Sequence, residues 1–173
     1  MPTYARGERE HYEVLQQALK KYHKDLLEAG VQVQIVIAYA TTDDLGEKKG
    51  SALKCHGHPA LAIARILSLK DRLLRENDAE IAIDGDDWPS WGAKRLLAIM
   101  DHELKHFELV VNDAGLPKLD DLNRPRLKIR KHDYQVGWFH SVAARHKQHR
   151  EEVRQVPARP DDTDLCQLSL PTE

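Results

Sequence analysis

The chain has 173 residues, a mass of 19.8 kDa and a formal net charge of −2, with 41% apolar and 31% charged residues. That balance fits one folded domain with a genuine core and excludes wholesale disorder. No stretch approaches about 18 consecutive apolar residues, so a membrane span is excluded. The opening MPTYARGEREHYEV has no apolar run behind a basic one, which predicts no secretory signal and a cytoplasmic location. Cys55 and Cys166 lie far apart and are expected as thiols, not as a disulfide framework. The ten histidines are the informative excess, because imidazole is the commonest metal ligand.

In chain order, apolar residues recur at helical spacing from Glu8 to Ala29, with Gly30 as a stop. Val31 to Ala40 is rich in β-branched residues and predicts a strand; the polar stretch from Thr41 to Gly50 predicts a loop. Residues Ala60 to Leu74 fit either a helix throughout or a strand near Ala64 to Leu69 followed by a short helix. Ala79 to Asp84 alternates as a strand, and Gly85-Asp86-Asp87 closes it. Pro89 then suits the first turn of a long helix reaching about Val111. Asn112 to Pro125 is turn-forming, and Arg126 to Arg130 is a short alternating strand. Asp133 can cap a last helix running to about Arg154. The segment 155–173, with its prolines and no periodicity, is expected as a flexible tail behind a domain spanning 1–154. The expected fold class is α+β, with a central helix packed on a short mixed sheet.

The chemistry lies on that central helix, in His102-Glu103-Leu104-Lys105-His106, the HExxH pattern. Histidines at i and i+4 share one helical face, so both imidazoles can reach one ion. A catalytic zinc ion takes such nitrogen ligands and keeps one position open for water. Glu103, about 100° round the helix, can take a proton from that water without entering the coordination sphere. Chance placement of 10 His and 12 Glu gives roughly 0.04 such patterns per chain of this length, so the pattern alone carries weight. Its setting adds more. Leu96, Met100, Leu104, Phe107 and Val111 form one stripe, expected to be buried, while Lys94, Asp101, Lys105 and Glu108 gather on the expected solvent side. His102 and His106 occupy a sector between the two.

A zinc enzyme needs a third protein ligand. Glu108 lies on the wrong side of the helix, so the ligand must come from downstream. His132, between the Arg126–Arg130 strand and the last helix, is the leading candidate; Asp133 and His140 are the alternatives, and Asp133 suits an N-cap equally well.

With these residues in place the chain resembles the phage metallopeptidases, small single-domain proteins of phage and prophage genomes. The likeness rests on IAIDGDDW (Ile81 to Trp88), RLLAIMDHELKHFE (Arg95 to Glu108) and KIRKHDYQVGWFH (Lys128 to His140), and covers roughly residues 30 to 150. The resemblance implies a zincin-like fold, Zn2+ held by His102, His106 and His132, and Glu103 as catalytic base. It also implies a host-cytosol location for a phage-encoded chain. A more distant similarity is to SprT-like proteases, which cut proteins crosslinked to DNA.

Other features have blander readings. Cys55-His56-Gly57-His58 has metal-capable atoms but no second half at finger-like spacing, and reads as a glycine-containing loop. Arg124 to Arg154 holds nine Lys/Arg against Asp133, Glu151 and Glu152, a net +6, which would attract nucleic acid. Trp138 and Phe139 are potential stacking residues there. The plainer reading buries Val136, Phe139, Val142 and Ala143 and leaves the basic side, with His146 and His149, in solvent. Tyr134 and His140 are candidates for stabilising an oxyanion. The favoured function is therefore a zinc-dependent peptidase acting on a peptide or protein. The alternative is a non-catalytic metal protein that binds nucleic acid or a protein partner through the basic last helix. A third reading directs the same chemistry at another amide or an ester. The sequence is silent on oligomeric state.

Overall fold

A computed structural model describes residues 1–132 and 139–146. Within them the chain is α+β, with a mixed sheet of four strands in the order β1-β2-β6-β5. These are β1 (Thr3–Arg6), β2 (Val33–Tyr39), β5 (Ala62–Ile66) and β6 (Ala79–Asp84). Strands β2 and β6 run parallel at the centre, with Ile35 opposite Ile81 and Ile37 opposite Ile83. The flanking strands β1 and β5 are antiparallel to them. The alternating side chains send Val33, Ile35, Ile37, Ile81 and Ile83 into the core, where they are buried. That core also holds Leu15, Ala18 and Leu19 of helix α1 (Arg9–Tyr22) and Met100 and Leu104 of α4 (Ala93–Lys105). On the opposite face Ala38 and Ala82 join a second small apolar cluster with Ala52 and Leu53, and beside it Glu80 accepts from Arg65 at 2.6 Å and Arg75 at 2.9 Å.

The predicted helix 8–29 is broken in two, with α1 ending at Tyr22 and α2 spanning Lys24–Glu28. Between them His23 takes a non-helical conformation, φ −130° and ψ 52°, although no glycine or proline marks the spot. The cause is tertiary, since the bend turns the ring inward to the carboxylate of Asp101, 2.8 Å away.

Of the two readings of 60–74, the strand followed by a helix is found, with α3 at Leu69–Arg75. The Ser68 hydroxyl caps α3 by accepting from Asp71 N at 3.2 Å. The loop 41–60 carries the small antiparallel pair β3 (Lys54–Cys55) and β4 (His58–Pro59). His56 and Gly57, at φ 50° and 86°, make its two-residue turn. Cys55-His56-Gly57-His58 is thus an exposed hairpin tip.

The long helix predicted from Pro89 to Val111 is shorter at both ends. Trp88–Ser90 forms a 3-10 turn, α4 begins at Ala93, and it stops at Lys105. Beyond it, Phe107–Leu109 is extended as β7 and pairs with β8, Leu127–Ile129. The sequence FELVV suits a strand as well as a helix, and the partner strand decides the matter. Val111, placed in the apolar stripe by helical periodicity, consequently lies exposed.

Two tight loops fold β8 back onto β7. Asn112 Oδ1 accepts from the backbone of Ala114 and Leu116, both at 3.0 Å, and Asp120 Oδ1 accepts from Leu122 and Arg124 at 2.9 and 3.0 Å. Val110, Lys118 and Arg126 then bond one another through the main chain, at 2.7–2.9 Å. A buried ionic hub anchors this double hairpin to the body of the fold. Arg72 reaches Asp78, Asp120 at 2.7 Å and the Pro125 carbonyl at 2.9 Å, while Arg124 reaches Asp78 at 2.9 Å. Among the described residues no helix is long and apolar enough to cross a membrane.

Candidate metal centre

The last turn of α4 and the end of β8 meet at three imidazoles. His102 lies within the helix, and His106 is its C-cap residue. The hairpin return places Arg130 beside His106, where Arg130 N donates to the His106 carbonyl at 2.7 Å. Two residues further, His132 reaches the same spot. One nitrogen from each of His102, His106 and His132 falls within 4.8 Å of the others. The Nε2 atoms of His102 and His132 stand 3.0 Å apart. Two nitrogens about 2.0–2.1 Å from one tetrahedral ion stand roughly 3.3–3.4 Å apart, so the rings need to part by only a few tenths of an ångström.

The tautomer of His106 is legible from its neighbours. A carbonyl only accepts, so the 2.9 Å contact between His106 Nδ1 and Arg130 O requires the proton on Nδ1 and leaves the Nε2 lone pair available. Burial lowers the His106 pKa to about 4; the bond to the Arg130 carbonyl opposes that shift, and the neighbouring His102 and His132 add to it. At neutral pH the ring is therefore neutral, the form that ligates a metal. A three-nitrogen donor set with one ring fixed from behind fits zinc or a similar divalent ion.

Glu103 is buried on α4 between these two histidines in sequence. Glu108, set aside as a ligand, is an exposed residue of β7 paired with Lys128 at 3.0 Å. His140 is exposed at the start of α5 (His140–His146). Asp133, Tyr134, Val136, Trp138, His149 and the segment 155–173 lie outside the described residues.

Two residues assigned to solvent by periodicity are in fact interior. Asp101 has no exposed surface, and His146 is buried. Asp101 accepts from Arg145 at 2.7 and 2.9 Å and meets His23 and His146 at 2.8 Å each. Burial alone would raise the Asp101 pKa. The bonds from His146, His23 and Arg145, with the charge of Arg145, outweigh that effect and hold it far below the usual carboxylate range. The helix is amphipathic as predicted, but at Asp101 its polar side is covered by α5 and the α1–α2 joint. No one-dimensional signal marks this hub, because its partners lie 44 to 78 residues away. Phe139, Val142 and Ala143 are buried, as the plainer reading of the last helix expects. Phe139, however, packs on the histidines themselves, with ring centroids 5.2, 4.8 and 5.0 Å from His102, His106 and His132.

No curated protein and no solved structure shows significant similarity to this chain. A family model described as "Putative phage metallopeptidase" matches residues 4–158, and that span includes α4, the β7–β8 hairpin and all three histidines. The chain belongs to this metallopeptidase family.

Proposed function

We propose that this protein is a zinc-dependent peptidase of zincin-like architecture, with His102, His106 and His132 holding the ion and Glu103 as general base. The observation that carries the reading is the convergence of three imidazole nitrogens from two distant segments, with the buried Glu103 lying between two of these histidines in the sequence. The family to which the chain belongs supports a hydrolytic role on peptide bonds. When bound, the ion supplies Lewis acidity and lowers the pKa of water toward neutrality.

The chain's own residues do the rest. His106, neutral and tied to the Arg130 carbonyl, offers a fixed lone pair and needs no proton removed before it binds. Glu103 accepts the proton of the attacking water as the carbonyl carbon becomes tetrahedral. It then delivers that proton to the departing amine, so that one carboxylate serves both halves of the reaction. The domain is read as residues 1–154, near the end of the family match at 158. The family's description supports a phage source; a place of action in the host cytosol is part of the same reading.

The test is a digest of a peptide library by zinc-repleted protein. Cleavage is expected, with loss on chelation and recovery when zinc is returned. A repleted, folded protein that cuts no peptide while holding its ion would instead favour a non-catalytic role.

A further inference from the structure

We propose that Phe139 is a positioning residue for the three-histidine centre, and that the Asp101 cluster is the fastener that seats it there. The inference rests on the metal-site reading above and adds residues outside the HExxH motif. Phe139 is fully buried, and its ring lies within 5.2 Å, centroid to centroid, of all three imidazoles. The guanidinium of Arg130, whose carbonyl holds His106, lies 5.7 Å from the same ring. An imidazole attached through one nitrogen can still swing about its side-chain torsions. A flat apolar ring packed against all three restricts that motion.

Phe139 stays in place because of what lies further along α5. The Phe139 carbonyl accepts from Ala143 N at 3.0 Å, so the residue opens the helix. Further along the same helix, Arg145 and His146 both bind Asp101 on α4. Asp101 directly precedes His102, so one carboxylate ties the helix carrying Phe139 to the helix carrying two ligands. His23 adds the α1–α2 joint to the same carboxylate. Tyr22 flanks the arrangement, with Arg145 4.9 Å from its ring and His146 edge-on at 5.4 Å. Buried polar groups linked in this way fix one relative placement of the helices.

The experiment uses the full chain loaded with Co2+, whose ligand-field absorption reports ligand geometry directly. Affinity is read by competition with a chelator. Phe139→Ala is expected to weaken Co2+ binding about 10- to 100-fold, the range found when groups supporting metal ligands are removed. Its absorption bands should also shift in the fully loaded protein. Phe139→Leu keeps most of the bulk and should show a smaller change in the same direction. Arg145→Ala, which loosens the fastener while leaving Phe139 intact, should also weaken binding. Val142→Ala is the control, being as buried as Phe139 and on the same helix. It should lower the melting temperature and leave the bands of the loaded protein unchanged. Wild-type affinity and bands in both Phe139 variants would overturn the proposal, as would an equal band shift in Val142→Ala. A wild-type protein that takes up no Co2+ overturns the metal-site reading itself, and this inference with it.

Discussion

Glu103→Gln should leave the metal in place and remove hydrolysis, lowering kcat by about 10²- to 10⁴-fold. At about 1.36 kcal/mol per tenfold, that is roughly 3–5.5 kcal/mol of lost transition-state stabilisation. Glutamine matches the buried side chain in shape, so the end of α4 need not rearrange. It has no basic oxygen able to take a proton from water and return it to the amine. Because Glu103 is not among the three converging nitrogen donors, zinc content should match the wild type. The measurement is single-substrate kinetics on a peptide taken from the library digest, beside metal analysis of the same preparation. A variant that cuts as fast as wild type removes Glu103 from the mechanism; one that loses its zinc makes Glu103 part of the metal site.

The second large effect concerns Asp101. Asp101→Ala should destabilise the fold by about 3–5 kcal/mol, the usual cost of breaking a buried charge pair by deleting one partner. The deletion leaves His23 and His146 in the interior and Arg145 with only its outer surface to turn to. Asp101→Asn, which keeps the shape but not the charge, should cost less. Acid should weaken metal-free protein at two separate places, His106 in the three-histidine centre and Asp101 in its cluster. His106 has a lowered pKa in the fold, so its share of stability is present above the unfolded value near 6.5 and declines as pH falls toward about 4. Asp101 is also lowered, and for a carboxylate that means stability present above about 3.9 and lost in stronger acid. Denaturant unfolding across pH should therefore show two declines in the wild type, and only the upper one in Asp101→Asn. A flat profile from pH 7 to 3 would contradict both assignments.

Placements set by neighbours in sequence are legible in the chain alone. Helical spacing brings His102 and His106 to one face of α4, with Glu103 between them in the sequence. The strands at 33–39 and 79–84 follow from β-branched alternation, and their parallel pairing gives the mixed sheet of the expected α+β class. His132 could be singled out by where it falls, just past a short strand. What escaped depends on contacts distant in sequence. The end of α4 at Lys105 is decided by the pairing of Phe107–Leu109 with a strand some 20 residues on. The break at His23 and the burial of Asp101 and His146 share one cause, a carboxylate collecting partners from both ends of the chain. Helical periodicity places a charged residue in solvent unless something covers it, and here α5 covers it. Phe139 looked like ordinary core because its burial is predictable and the identity of the rings it touches is not.

The most direct test of a single ion held by three histidines is metal stoichiometry after careful zinc repletion, in the wild type and in His132→Ala. One zinc per chain is expected in the wild type and close to none in the variant, since two imidazoles on one helix turn make a far weaker site than three. Repleted wild type found empty, or His132→Ala binding zinc as tightly as its parent, would contradict the account.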